Sequence, residues 1–324
     1  MKAAGWDLKQ YILSEIEKSG GWVNAHTHLD RAYTIRLKDL KLADEHLHKK
    51  WDIVDAIKKE SSVTQIYDRM AFAIEQQIAQ GVTTLASFID VDDIIQDKSI
   101  LAAEKIKEKY KNDIQLIFVN QALKGVIQKD ARKWFDLGSE FVDIIGGLPG
   151  KDAGKEAEHL DILFESAKKH NKMVHVHVDQ LNTQKETELE LLCEKTAEHK
   201  LKGRVVAIHG ISLSAHPIEY RKKIYAEMKK NEVMLITCPT AWIDSRRSEE
   251  LSVTHNSIAP VEELIAAEIP VGIGTDNIAD IYKPFTDGDM WMELRFLLES
   301  CHYYDIKNLV KIATQSGKKI LGIS

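Results

Sequence analysis

The sequence is poor in cysteine and has no long apolar run. Its three cysteines, Cys193, Cys238 and Cys301, are too widely spaced to indicate a disulfide framework, and they predict a reducing compartment. The N-terminal residues lack the apolar stretch of a signal peptide, and no later segment approaches the roughly 20 apolar residues that cross a bilayer. We therefore expect a cytoplasmic protein with no membrane partner.

An excess of positive charge is also missing, since the formal net charge is −6. Lysines and arginines alternate with acids or apolar residues at helical spacing, which is typical of a solvated helix face and not of a nucleic-acid surface. No glycine-rich phosphate loop follows any predicted strand, so nucleotide binding through such a loop has no support. The expected partner is a small-molecule substrate, without nucleic acid.

The 324 residues, of which 44% are hydrophobic, alternate between short β-branched segments and longer amphipathic ones. This alternation predicts an α/β fold, a (β/α)₈ TIM barrel forming one domain over residues 1–324. A helix is expected within 1–20, the barrel strands within 21–280 and further helices within 281–324. An open, doubly wound sheet is the alternative, because a count of strands does not prove closure. The predicted strands lie within 21–30, 82–90, 114–121, 142–149, 173–180, 205–211, 233–239 and 270–276.

Residues that can bind metal or transfer protons recur where these strands end. His26 and His28 share one face of the first strand, because side chains at i and i+2 point the same way. His177, His209 and Asp276 end the fifth, sixth and eighth strands. The carboxyl ends of parallel barrel strands build the active site, so these groups are expected to meet. Imidazoles with one carboxylate suit zinc, or iron with similar ligands.

The motifs HTHLD (26–30), HVDQ (177–180), IHG (208–210) and GTDN (274–277) resemble the amidohydrolase superfamily. Within it, the chain is similar to the cytosine deaminase branch, which includes isopropylammelide amidohydrolase-like enzymes. The resemblance implies one divalent metal, zinc in preference to iron, and it also implies catalytic roles. The implied ligands are His26, His28, His177 and Asp276. Asp276 would also accept the proton of the attacking water, and His209 would steer that water and stabilise the developing charge.

The resemblance also implies substrate contacts, together with two departures from the branch. Gln121 matches a glutamine that contacts the substrate ring, and Asn277 stands where the branch has a second carboxylate. Gln180 replaces a glutamate that shuttles a proton, and an amide cannot do this. Asp179 points to the opposite face and is a poor substitute. Arg31 stands where isopropylammelide-type relatives have a lysine; it either binds an anionic or oxyanionic group or forms a salt bridge at the barrel rim.

The remaining candidates are weaker. Trp242 and Tyr282 follow the seventh and eighth strands and either stack on a planar substrate or pack the loops together. His175 is expected to be buried and structural, and Cys238 is not needed as a ligand. His46 and His48 point apart on a helix and are interpreted as surface residues. The insertion at 37–80 is expected to hold two helices over the barrel mouth.

The family usually carries a β-sandwich around the barrel, and we expect this chain to lack one, because His26 lies near its start and only 48 residues follow Asp276. What replaces the contacts of the sandwich is open, with a homo-oligomer as one option. The expected function is metal-dependent hydrolysis of a C–N bond in a small nitrogen heterocycle or amide-like compound, by attack of metal hydroxide. The alternative is a degenerate barrel that binds metal or ligand without turnover.

Overall fold

The computed structural model describes residues 7–36, 47–244, 252 and 257–323, although not the side chains of 47–49, 51–52 and 242–244. Eight strands alternate with helices along the chain. The strands are β1 Trp22–Thr27, β2 Val82–Asp90, β3 Gln115–Gln121, β4 Ile145–Gly147, β5 Val174–Val178, β6 Val205–His209, β7 Met234–Thr237 and β8 Val271–Ile273. Each lies within a segment that the sequence predicts to be a strand.

The described helices follow the expected alternation. They are α1 Leu8–Lys18, α2 Leu47–Glu60, α3 Val63–Ala79, α4 Lys98–Tyr110, α5 Lys129–Phe141, α6 Glu156–His170, α7 Glu188–Glu198, α8 Ile218–Asn231, α9 Val261–Ala266, α10 Met290–Glu299, α11 Ile306–Ala313 and α12 Gln315–Ile320. Two helices, α2 and α3, occupy the insertion after β1, as expected. None of the helices in the described ranges is long and apolar enough to span a membrane.

The eight strands form a closed parallel barrel. Strands β1–β2–β3 pair in one sheet and β4–β5–β6–β7–β8 in another, all parallel. A bridge between Val119 and Ile144 joins the sheets on one side, and a bridge between Thr27 and Asp276 joins them on the other. The TIM barrel is therefore confirmed, and the open-sheet alternative is excluded.

The strands separate an inner core from an outer one. On β5, Val174, Val176 and Val178 pack against the surrounding helices, whereas the alternating His175 and His177 point inward. Inward-facing apolar residues of the other strands fill the barrel and meet Ile320 and Leu321 of the C-terminal helix. The lower part of the barrel, toward the amino ends of the strands, is thus mainly apolar, and His175 is an inward-facing polar residue within it.

Helix α12 seals the lower end of this interior. Gly317 packs so closely on Val23 that an added Cβ would lie 2.7 Å from a valine methyl group. His175 Nε2 lies 3.1 Å from the carbonyl oxygen of Ile320, which gives this buried imidazole a structural partner. Burial lowers the pKa of His175 to about 3, so the ring is neutral at physiological pH. His175 is therefore buried and has a backbone partner, as the sequence predicts.

Helix α2 lies across the opposite end, at the mouth of the barrel. Val54 packs in a cluster with Leu123, Leu148 and Tyr282, which belong to loops after β3, β4 and β8. Lys58 is buried between Asp90 and Asp92 at the end of β2. Helix α2 therefore lies over the carboxyl ends of several strands, as the sequence predicts, whereas α3 packs beside α4 on the outside of the barrel.

Candidate metal centre and active site

An irregularity in β1 turns its two histidines into the barrel. Asn24 faces outward and donates to Gln77 of α3, while Ala25 belongs to the inner core. The register of the pairing with β2 then shifts between Asn24 and Thr27. Over this stretch β1 contains one residue more than β2, which is a β-bulge. His26 consequently follows Ala25 inward, and its ring centroid lies 5.0 Å from that of Phe88. A strict alternation of side chains would have turned His26 outward.

Five side chains then converge at the upper end of the barrel. The Nε2 atoms of His26 and His28 lie 3.3 and 3.2 Å from Oδ1 of Asp276. His26 also forms a cluster with His177 and His209, whose ligand atoms all lie within 4.8 Å of one another. The five residues are buried, with at most 4% of each exposed. The structure thus brings together all the metal-site residues predicted from the sequence.

The donor atoms of this cluster fit a bound metal ion. His26 Nδ1 and Nε2, His177 Nε2 and His209 Nδ1 have no hydrogen-bond partner among the described residues. Buried polar atoms without partners are costly, and a cation would satisfy them. His177 Nδ1 lies 3.3 Å from the carbonyl oxygen of Gly147, a contact that leaves Nε2 directed into the cluster. His209 belongs to the same cluster of possible ligand atoms as His26 and His177, although the sequence resemblance implies a catalytic role for it.

Electrostatics keep the imidazoles neutral and the carboxylate charged. Burial holds the pKa of His177 well below its ordinary value, and the neighbouring His26 lowers it further. Burial alone would raise the pKa of Asp276, but the ammonium of Lys283 and the close imidazoles of His26 and His28 hold it well below its usual range. Neutral imidazole and ionised carboxylate are the forms that bind a metal.

Two of these groups occupy strained backbone positions. His209 has φ +75° and Asp276 has φ +58°, in the left-handed region that residues with a Cβ rarely adopt. Asp276 is held there because its N–H donates to the carbonyl oxygen of His26 at 3.0 Å. Gly274 permits this approach of β8 to β1, since a Cβ on it would lie 2.8 Å from His26. Such strain concentrates at functional sites.

A small cavity of about 30 Å³ opens beside the cluster. The predicted substrate residues Arg31, Gln121, Gln180, Asn277 and Tyr282 all line it. Trp242 lies in a short 3₁₀ helix after β7, but its side chain falls outside the described part of the chain. The same holds for His48, and His46 lies in the undescribed range 37–46.

The amide of Asn277 is fixed from behind by a buried carboxylate. Its Nδ2 donates to Oδ2 of Asp280, whose Oδ1 accepts the backbone N–H groups of Tyr282 and Lys283. Burial raises the pKa of Asp280 to about 6. Asp280 does not line the cavity, so the wall at this point presents an amide and not an acid.

Asp179 is turned away from the cavity, as the sequence predicts. Its Oδ1 accepts the backbone N–H of Glu188, and Oε2 of Glu188 accepts the N–H of Asp179 in return. This reciprocal pair fixes the start of α7 after the loop that follows β5. Gln180 is therefore the residue of this loop that reaches the cavity, and it has no proton to shuttle.

Arg31 shows features of both interpretations made from the sequence. Its Nη1 lies 3.7 Å from Oδ1 of Asp90, which makes an ion pair but is too long for a hydrogen bond. Its guanidinium also stacks over the ring of Tyr282, 5.4 Å from the centroid, and lines the cavity. Arg31 therefore both pairs with an acid at the rim of the barrel and lines the cavity.

Two further residues of the site, Lys283 and Glu293, were not predicted from the sequence. The buried Nζ of Lys283 lies 3.8 Å from Oδ2 of Asp276 and donates to the carbonyl oxygen of Thr275 and the hydroxyl of Thr240. Glu293 of α10 accepts both the N–H and the hydroxyl of Thr240. No motif marks these residues; a lysine seven positions after a ligand aspartate is the one available signal. Cys238 belongs to neither metal cluster within the described residues.

Comparison with known proteins identifies the family. Residues 20–324 match the amidohydrolase family. The chain belongs to the amidohydrolase family. An uncharacterised protein of Haemophilus influenzae is 51% identical over 269 residues, which cover 82% of this amidohydrolase and 98% of that protein. N-isopropylammelide isopropyl amidohydrolase of Pseudomonas sp. (strain ADP) is 27% identical, with 96% of this chain and 78% of the relative covered.

Solved structures agree on the fold of this amidohydrolase. The 5-methylcytosine deaminase of Klebsiella pneumoniae, with phosphonocytosine bound, superposes with a TM-score of 0.86 at 22% identity, over 93% of this chain and 75% of that one. N-isopropylammelide isopropylaminohydrolase of Burkholderia multivorans gives 0.76 at 17% identity, over 93% and 74%. The family, the barrel fold and the expected class of enzyme, a hydrolase acting on C–N bonds, are confirmed.

Proposed function

We propose that this amidohydrolase uses one divalent metal ion to hydrolyse a C–N bond of a small, planar nitrogen heterocycle or an amide-like compound. The convergence of five buried groups with unpartnered nitrogen atoms carries the proposal. The proposed ligands are His26, His28, His177 and Asp276. A set of three imidazoles and one carboxylate favours zinc, with iron as the second choice.

When bound, such an ion lowers the pKa of water from about 15.7 to near 7 and so supplies a nucleophile at neutral pH. Asp276 directs Oδ1 at the histidines and Oδ2 at Lys283, so it is placed to accept the proton of the attacking water. His209 lines the cavity as a neutral ring, because burial lowers its pKa to about 3. We assign it to positioning the water and to stabilising charge on the tetrahedral intermediate.

The cavity wall supplies polar contacts to the ring. Gln121, Gln180 and Asn277 each offer an amide that can donate and accept, which suits the alternating N–H and carbonyl groups of a heterocycle. Leu123, Leu148 and Tyr282 provide apolar surface against its faces. Trp242 stays a prediction as a further aromatic contact.

The absence of an acid at Gln180 limits the reaction. A leaving amine must receive a proton, and in this cavity Asp276 is the carboxylate that can deliver one. Because Asp276 would then carry every proton of the reaction, loss of an N-substituted or activated leaving group is favoured over loss of plain ammonia. We therefore propose cleavage of such a substituent in preference to deamination of a cytosine-like ring.

Metal analysis with a hydrolysis screen tests the function. We expect about one zinc or iron ion per chain, and turnover of at least one member of a panel of N-alkylamino triazines, aminopyrimidines and cyclic amides. His177→Ala should lose the metal, because it removes a nitrogen that is fixed toward the cluster. His170→Ala, on the surface end of α6, is the control and should keep the metal. Stoichiometric metal in His177→Ala would refute the ligand assignment, and bound metal with no turnover across the panel would favour the degenerate barrel.

A further inference from the structure

The guanidinium of Arg31 lacks the hydrogen bonds that its burial demands. Its side chain is 6% exposed, and its Nε and Nη1 have no hydrogen-bond partner among the described residues. Arginine stays protonated in proteins, so these donors cannot be removed by deprotonation. A buried donor without a partner destabilises the folded protein, and more so when it is charged. A ligand that accepts from Arg31 would offset this cost.

Lys58 explains why the neighbouring Asp90 does not fill this role. The Nζ of Lys58 lies 3.2 Å from Oδ2 of Asp90 and also pairs with Asp92, which in turn accepts the N–H groups of Ile94 and Ile95. Asp90 is thereby held toward α2, and its Oδ1 stops 3.7 Å short of Arg31. Lys58 does not line the cavity, whereas Arg31 does. The lysine of α2 thus holds the acid away from the arginine.

The charged groups that line the cavity also favour a ligand that accepts hydrogen bonds from Arg31. Apart from the imidazoles, Arg31 is the one basic side chain among the described residues that line it, and Asp276 is the one acid. A divalent cation held by the cluster would more than balance that carboxylate. The remaining polar walls are the amides of Gln121, Gln180 and Asn277 and the hydroxyl of Tyr282. Planar guanidinium groups recognise planar anions through paired hydrogen bonds.

We propose that the substrate of this site is an anionic heterocycle whose negative group, a ring oxyanion or a ring carboxylate, accepts hydrogen bonds from Arg31. Lys58 is a positioning residue, which keeps Asp90 from taking up those donors. This inference rests on the proposed function, because it names the substrate class of the same site.

Binding of three rings to the zinc-loaded protein tests the proposal by calorimetry at neutral pH. Uracil is the neutral probe, barbiturate carries a ring oxyanion, and orotate carries a ring carboxylate. We expect at least one anion to bind tenfold or more tightly than uracil. Arg31→Met should remove that preference and leave uracil within about threefold, since a hydrogen bond to a charged group accounts for roughly ten- to hundredfold in affinity. Arg31→Lys, which keeps the charge and loses the planar fork, should fall between the two.

The role of Lys58 is tested by a double-mutant cycle with Asp90. Lys58→Met should weaken anion binding several-fold, because Asp90 is then free to pair with Arg31. Adding Asp90→Asn should restore the affinity, a rescue that a merely structural loss would not show. Lys124→Met is the matched control, since Lys124 also joins α2 to a barrel loop, through Asp55, and does not line the cavity.

The outcomes separate this inference from the function on which it rests. Equal affinity for uracil and both anions, or an anion preference that survives in Arg31→Met, would overturn the substrate class while leaving the hydrolase intact. No binding of any ring to the metal-loaded protein would overturn both. A Lys58→Met effect that Asp90→Asn does not rescue would remove the positioning role.

Discussion

At the scale of single residues, Asp276 is the most constrained group of the site. Its backbone is strained at φ +58°, one carboxylate oxygen faces two histidines, and the other faces the ammonium of Lys283. Lys283 also donates to the carbonyl oxygen of Thr275, so it holds both the side chain of Asp276 and the peptide bond that precedes Asp276. Lys283 therefore defines which oxygen of Asp276 can reach a metal.

Removing this lysine should loosen the metal site. In Lys283→Met the carboxylate keeps its histidine neighbours but loses its compensating charge. Because such outer partners are typically worth ten- to hundredfold in metal affinity or activity, we expect zinc affinity to fall by about that factor. Competition with a chromophoric chelator measures it, and the visible spectrum of the cobalt-loaded protein reports the ligand geometry. Lys222→Met, at an exposed lysine of α8, is the control; an unchanged zinc affinity in Lys283→Met would contradict the assignment.

Glu293 makes a prediction about pH. Burial raises its pKa from 4.5 to about 7, so between these values the folded protein binds a proton that the unfolded chain has released. Its contribution to stability is therefore present below pH 4.5 and is lost as the pH rises through 7. Glu293→Gln mimics the protonated form and removes this loss. Relative to wild type, the variant should gain up to about 1.4 kcal/mol per pH unit over this window.

Urea unfolding of the metal-free proteins at several pH values between 4.5 and 8 checks this expectation. Glu198→Gln, at an exposed glutamate in the last turn of α7, serves as the control and should show no such trend. A difference between Glu293→Gln and wild type that stays constant with pH would show that Glu293 is ionised in the folded protein.

At the scale of elements, the positions of the strands could be predicted from the sequence, whereas the irregularities within them could not. Alternating β-branched runs located all eight strands. Gly81 and Asn171 follow α3 and α6 at positive φ, which is typical of glycine and asparagine at helix ends. After α8 it is Glu232 that takes the left-handed position, which its residue type does not predict. The extra residue in β1 was equally hidden, because a bulge depends on the register with β2 and not on local composition.

Helix α2 is the element whose packing governs access to the site. Val54 is buried in the small cluster with Leu123, Leu148, Ile281 and Tyr282, and three of these residues line the cavity. Lys50 donates to the carbonyl oxygen of Tyr282 at 3.4 Å. The cluster is separate from the main barrel core, so its loss should affect the mouth more than the fold.

Val54→Ala tests this separation. The substitution removes two buried methyl groups and should cost about 1–2 kcal/mol of local packing. We expect faster hydrogen exchange in α2 and a raised KM, with global unfolding nearly unchanged. Leu101→Ala, at a 40% exposed position of α4, is the comparison variant. Exchange that rises equally in the barrel strands would show that α2 unfolds only with the whole domain.

At the scale of the whole molecule, closure of the barrel brings residues that are far apart in the sequence together in one site. The bridge between Thr27 and Asp276 brings together positions about 250 residues apart. This was predictable because every proposed ligand lies at or shortly after the carboxyl end of a strand. The positions of Lys58, Lys283 and Glu293 at the site were not predictable. These residues lie on helices and loops, and no periodic pattern in the sequence indicates where such elements pack against the barrel. Their pairing follows from packing against the finished barrel.

The assembled site also predicts how metal should affect the stability of the whole domain. Without an ion, several buried nitrogen atoms have no hydrogen-bond partner among the described residues, and the unfolded chain cannot reproduce the cluster. Because an ion that binds only the folded state adds about 4 kcal/mol at a thousandfold excess over its dissociation constant, chelation should lower Tm by several degrees or more. Calorimetry of chelated and zinc-reloaded protein measures the shift. His177→Ala should melt at the same temperature with and without zinc, and a zinc-dependent Tm in that variant would place the stabilising ion elsewhere.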